Sequence, residues 1–143
     1  MVATKKLIKE LFEKYNTLYF NNELPLCTFT THSSFKKLGE FSFIKNKWSR
    51  NHMSYKTISI TDCYDFKECE LKHILIHEMI HYYIAYKFNK IEGNFDHGIE
   101  FITMMSQLNK KHNLKIRPIY NMVMDRAPGK SILLWWWYNK VIG

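Results

Sequence analysis

Apolar residues recur at helical spacing in three stretches of this chain, and a run of short β-rich segments lies between the first and the second. Leu7, Ile8, Leu11, Phe12 and Tyr15 put one apolar stripe on a helix over about residues 4–18, and Pro25 closes the turn after it. Segments near 27–32, 38–44 and 55–61 alternate or are rich in β-formers, which predicts strands. Residues 66–88 read as one long helix. Leu71, Ile74, Leu75, Ile76, Met79, Ile80 and Ile84 make it apolar almost all round, as suits a central buried element. Asp65 is the expected cap, with Glu68 completing a capping box. A loop over about 89–96, carrying Asn89, Gly93 and Asn94, leads to a second helix over 97–111, with Phe101, Ile102, Met105 and Leu108 on its apolar side and Asp96 as its cap. In the tail, Ile116–Tyr120 and Leu133–Tyr138 can each form a strand, separated by the Ala127-Pro128-Gly129 turn signal, or Ser131 can cap a short terminal helix. This order of elements predicts a single α+β domain over 1–143.

Inside the apolar helix stand His77, Glu78 and His81, in the pattern H-E-x-x-H. Residues four apart share a helix face, so two imidazoles can aim at one metal ion. Glu78 sits one residue round, where a general base for a metal-activated water belongs. Two imidazoles and a carboxylate in such a helix are costly unless something satisfies them, and a cation does so. A pair of hydrogen-bonded core histidines is the bland alternative. His73 falls on a similar face, but eight residues of helix rise about 12 Å, too far for His73 and His81 to share an ion. The pair His73 and His77 is geometrically possible but has no carboxylate in the base position, so 77 and 81 are preferred and His73 is read as packing, or as support behind the ligands.

A catalytic zinc takes three protein ligands and keeps one position open. His97 is the first candidate for the third, in the first turn of the second helix. Glu100, one turn along, is the rival, and Asp96 a weaker choice.

From here the chain resembles a known family, the SprT-like zinc metalloproteases. Leu11-Phe12-Glu13-Lys14-Tyr15-Asn16, followed by Tyr19-Phe20-Asn21-Asn22-Glu23-Leu24-Pro25, is similar to the family's opening helix and its exit. Gly39-Glu40-Phe41 and Thr57-Ile58-Ser59-Ile60-Thr61 resemble its strands. His77-Glu78-Met79-Ile80-His81 and then His97-Gly98-x-x-Phe101 follow in the family's order. The resemblance covers about residues 5–110. It implies a zincin-like domain, with a small twisted sheet over the active-site helix, and one catalytic zinc held by His77, His81 and His97. Glu78 would be the general base of an endopeptidase, acting on substrates on or near DNA. An edge strand of the sheet would bind an extended peptide through main-chain hydrogen bonds, and the strand around Gly39–Ile44 is the expected edge. A developing oxyanion needs a donor besides the metal, and Tyr82, Tyr83, Tyr138, Arg117 and His112 are all candidates. Met122 and Met124 read as ordinary core residues. Many relatives also carry a zinc ribbon of paired cysteines. Cys27, Cys63 and Cys69 form no C-x-x-C pair and no cysteine follows Cys69, so a second, structural zinc is not expected.

Charge adds a partner class. The net charge of +8 is concentrated. Lys36, Lys37, Lys45, Lys47, Arg50 and Lys56 face one acid, Glu40, over 28–56. Lys110, Lys111, Lys115, Arg117, Arg126, Lys130 and Lys140 face Asp125 over 107–143. Basic segments suggest phosphate contacts, and Trp48 and Trp135-Trp136-Trp137-Tyr138 lie among them, where aromatics can stack on unpaired bases. Lys45, Lys47, Trp48, Arg50, Lys110, Lys111, Lys115 and Arg117 are the candidate contacts to single-stranded or crosslinked DNA. A solubilising surface explains the charge equally well, and a strand would bury at least one of the three tryptophans. Met1 to Lys14 lacks a signal-peptide core, no apolar run is long enough to span a membrane, and the scattered cysteines suit a reducing compartment. A cytoplasmic monomer is the expectation.

Overall fold

A computed structural model describes residues 1–45, 53–88, 98–118 and 124–129, with side chains at 45 and 53 left aside. The first helix, α1 (Lys5–Tyr19), starts where Thr4 Oγ1 accepts the Leu7 N–H at 3.1 Å. Three strands follow: β1 (Thr28–His32), β2 (Gly39–Lys45) and β3 (Met53–Thr61). They form one mixed sheet in the order β1-β3-β2, with β1 parallel and β2 antiparallel to β3. The register of β2 on β3 shifts between Ser42 and Ile44, and Tyr55 opposite that shift has φ of 55° with its ring exposed. The long helix α2 (Glu68–Phe88) packs on α1, β2 and β3, and α3 (Ile99–His112) packs on α2. A short ladder joins β4 (Tyr64–Asp65) to β5 (Asp125–Arg126).

The apolar wrap of α2 is the core. Ile74, Leu75, Ile76, Met79, Ile80 and Ile84 are fully buried, with Phe12 and Tyr15 of α1 and Ile58 and Ile60 of β3 among the residues clustered with them. The link from α1 to β1 is fixed by a side chain acting as a strand. Buried Asn16 accepts the Leu24 N–H at 3.1 Å and donates to the Leu24 carbonyl at 2.8 Å. Asn21 and Asn22 supply the positive φ angles of that turn. Tyr82 Oη on α2 then donates to the Pro25 carbonyl at 2.8 Å, tying the turn to the central helix.

Some expectations need correction. Asp65 does not cap α2: it lies in β4 and pairs with the Met1 amine. The back-bond at the helix start comes from Glu70, which accepts the Lys67 N–H at 2.8 Å, one turn apart as in a capping box, while Glu68 is exposed near Lys14. α3 begins at Ile99, with Gly98 as its cap and no side-chain cap bond; Asp96 and the loop before it lie outside the described residues. Residues 114–117 are not a strand, and 119–123 and 130–143, with Ser131 and Leu133–Tyr138, lie outside the described residues. The turn at Pro128-Gly129 is present, with Gly129 at φ 80°. Met124 packs half-buried against the core, as expected, and Met122 lies outside the described residues.

Tyr15 makes a test of this core. Its ring is buried, burial and the nearby Glu68 carboxylate push its phenol up to about 12, and its hydroxyl has no hydrogen-bond partner among the described residues. An unsatisfied buried hydroxyl destabilises, so Tyr15→Phe is expected to raise stability by about 1 kcal/mol, read from the urea midpoint. The cation–π contact of Lys72 at 5.9 Å from the ring centroid survives in phenylalanine. A lowered midpoint would mean that the hydroxyl is bonded after all.

Candidate metal centre

The middle of α2 buries polar residues among its apolar ones: His77 is 4% and Glu78 5% exposed, and His81 is half-buried. His77 Nδ1 lies 3.1 Å from the carbonyl oxygen of Arg117. A carbonyl only accepts, so Nδ1 carries a proton, and a ring in that tautomer presents its lone pair at Nε2. That Nε2 stands 3.2 Å from Nε2 of His81. Two facing lone pairs would repel, so a proton on one ring or a cation must lie between the two nitrogens. Two nitrogens bound to one tetrahedral zinc stand about 3.3–3.4 Å apart, given bond lengths of about 2.0–2.1 Å. The observed 3.2 Å lies close to that separation. Burial pushes the His81 imidazole down to about 4, which keeps it neutral and competent as a ligand at ordinary pH.

Phe101, fully buried in the first turns of α3, packs on both rings, with centroids 4.9 Å from His77 and 4.6 Å from His81. This gives a physical reason for the phenylalanine three residues after Gly98: it closes the apolar side of the pair and limits how either ring turns. His73, one turn before His77, accepts the Arg117 N–H at Nε2 over 3.1 Å, so it supports the site rather than joining the pair. Burial, with the Arg117 charge adding to it, lowers its pKa.

On the other side of Glu78 lies the sheet. A Cβ placed on Gly39, the first residue of β2, would stand 3.1 Å from both Cγ and Oε1 of Glu78 and 2.9 Å from Ile74 Cγ2. The backbone of β2 therefore runs against the carboxylate itself, closer than any residue but glycine permits. Among the described residues the other edge of β2 pairs with no strand, as expected for it from the sequence.

Among the described residues no third His, Cys, Asp or Glu completes a metal-binding group with His77 and His81. His97 lies outside the described residues. Glu100 turns back toward its own helix start, its Oε2 3.4 Å from where a Cβ on Gly98 would sit. The oxyanion candidates are narrowed. The Tyr82 hydroxyl is committed to Pro25 and its phenol is raised by burial; Tyr83 Oη donates to Glu23 at 3.4 Å; His112 packs edge-on to Tyr19 at 4.9 Å, in a shallow groove away from the histidine pair. Tyr138 lies outside the described residues. The main chain of Arg117 meets the site through its carbonyl at His77. Of the candidate DNA contacts, Lys110, Lys111, Lys115 and Arg117 are exposed along the end of α3 and the segment after it. Lys47, Trp48 and Arg50 lie outside the described residues, as does the Lys45 side chain. No helix of the described residues is long and apolar enough to cross a membrane. The three cysteines are unpaired.

The fold is α+β, a small mixed sheet on a central helix that carries a spaced histidine pair and an adjoining glutamate, and the family it matches is one of metallopeptidase-like domains. The SprT-like family matches residues 8–120, most of the chain, and the chain belongs to that family. No curated protein matches it.

Proposed function

We propose that this chain is a zinc-dependent endopeptidase acting on proteins associated with or crosslinked to DNA. The observation that carries the reading is the 3.2 Å spacing of the two Nε2 atoms, on a helix whose neighbouring Glu78 side chain packs against Gly39 of β2. His77 and His81 would hold the metal, with His97 as the third ligand. When bound, zinc supplies a Lewis acid that polarises a peptide carbonyl and makes water acidic near neutral pH. Glu78 takes the proton of the attacking water on its carboxylate and returns it to the leaving amine nitrogen. The edge of β2 that pairs with no strand among the described residues, and that begins beside Glu78, would hold the substrate backbone extended across the site.

The nucleic-acid part of the reading is supported by where the charge lies. The exposed run Lys110, Lys111, Lys115 and Arg117 ends on the residue whose carbonyl bonds His77. DNA bound along that run would bring an attached protein to the zinc.

The test is cleavage of a histone by the zinc-loaded protein, with and without single-stranded DNA, at low and moderate salt. Cleavage is expected only with DNA, weakening as salt rises because phosphate contacts release counterions. Chelation should stop it and added zinc restore it. Zinc-dependent cleavage that ignores DNA would leave a peptidase without a nucleic-acid role. Tight zinc with no cleavage under any condition would overturn the enzymatic reading in favour of a DNA-binding module.

A further inference from the structure

Residues 113–118, directly after α3, form neither helix nor strand, yet their main chain is held at two successive residues by side chains from two helices. Asn113 ends α3 in the left-handed conformation, φ 53°, and turns the chain back. Asn109 on α3 then accepts the Ile116 N–H at 2.9 Å and donates to the Ile116 carbonyl at 2.9 Å. Ile116 itself is buried. At Arg117 the partners change helix: the N–H donates to His73 Nε2 at 3.1 Å, and the carbonyl accepts from His77 Nδ1 at 3.1 Å. Both polar groups of both residues are thus satisfied by side chains. A strand ladder would use backbone for this.

We propose that His73 is a positioning residue for the metal ligand His77, acting through the main chain of Arg117, with Asn109 holding the same segment from the other side. The inference rests on the metal-site reading above. The geometry has one consequence for His77. An imidazole that can rotate, or swap tautomer, offers its Nε2 lone pair for only part of the time. The Arg117 carbonyl fixes both the proton at Nδ1 and the direction of the ring, and it stays in place because its own N–H is anchored on His73, one turn back along the helix that carries His77. Ligand and support thus share one rigid element, and the peptide between them is a strut. His73 must present a lone pair at Nε2 to accept, so any side chain offering an acceptor there can serve.

Zinc affinity is the readout, measured by competition with a chromophoric chelator on the full chain. His73→Leu keeps bulk and removes the acceptor. It is expected to weaken zinc about 10–100-fold, the usual range when a partner behind a metal histidine is lost. His73→Gln keeps an acceptor at similar reach and should recover most of the affinity. Equal zinc affinity in wild type and His73→Leu would overturn the proposal, as would Leu and Gln variants that lose affinity and thermal stability alike. The wild type offers a second check that needs no variant. Imidazole nitrogen NMR of the metal-free protein should show His77 protonated at Nδ1, with that proton slow to exchange; a mixed tautomer or fast exchange would also overturn it. A wild type that binds no zinc at all would remove the metal-site reading and this inference with it. A wild type that binds zinc, beside an equally tight His73→Leu variant, would remove the strut alone.

Discussion

Glu78→Gln is expected to lower cleavage by at least about 10²–10⁴-fold, the share that a positioned general base contributes. Glutamine keeps the shape and the hydrogen-bonding reach of the side chain but cannot take a proton. His77 and His81, whose Nε2 atoms face each other, are unchanged, so zinc content should match wild type. Stability should move little, because the change removes a charge from a site where the carboxylate is only 5% exposed and replaces it with a neutral amide of the same size. The measurement is an initial rate on a histone substrate with single-stranded DNA present, beside zinc content and a melting curve. Cleavage at the wild-type rate would show that Glu78 is not the base. Loss of zinc together with cleavage would instead make Glu78 a ligand.

The two halves of this site were legible in the sequence to different degrees. His77, Glu78 and His81 announce themselves because a helix converts a spacing of four into a shared face, and that local geometry survives any tertiary arrangement. The first three strands and α1 were legible for the same reason: their periodicity is local, and the observed bounds differ from the expected ones by at most about two residues, whereas the two-residue β4 and β5 have no such signal. The supports of the site are not local. Asn109 and His73 meet at residues 116 and 117 from two different helices, and no spacing along the chain encodes that meeting. The segment carrying Ile116 looked like a strand because Ile116 to Tyr120 is β-rich, yet Asn109 offers its backbone the same donor and acceptor that a neighbouring strand would. The Asn16 clamp on Leu24 is the same device, hidden in the same way. Asp65 fits a cap by sequence because Asx residues serve both caps and turns, but the partner that decides between them, the Met1 amine, is 64 residues away.

Gly39→Ala is expected to cost about 10²-fold in the rate of cleavage, with substrate affinity and zinc content near wild type. The added Cβ would lie 2.9 Å from Ile74 Cγ2 and 3.1 Å from Glu78 Oε1 and Cγ, so something must move. The strand cannot easily retreat. Leu38 is buried and its carbonyl accepts the Thr61 N–H at 2.9 Å, while the Lys37 carbonyl accepts from His32 Nε2 at 2.6 Å. Ile74 is fully buried in the core and has no room to shift. The Glu78 side chain is the softest of the three, so it swings, and a catalytic group displaced by about 1 Å loses about that factor in rate. Overpacking should add a stability cost of about 1–3 kcal/mol. The split between the two kinetic constants decides the cause. A fall in kcat at constant KM, with wild-type zinc affinity, places the damage on the carboxylate. A rise in KM alone would place it on the β2 edge as a substrate-binding strand. An alanine variant as active as wild type would show that this close approach does not set the position of Glu78.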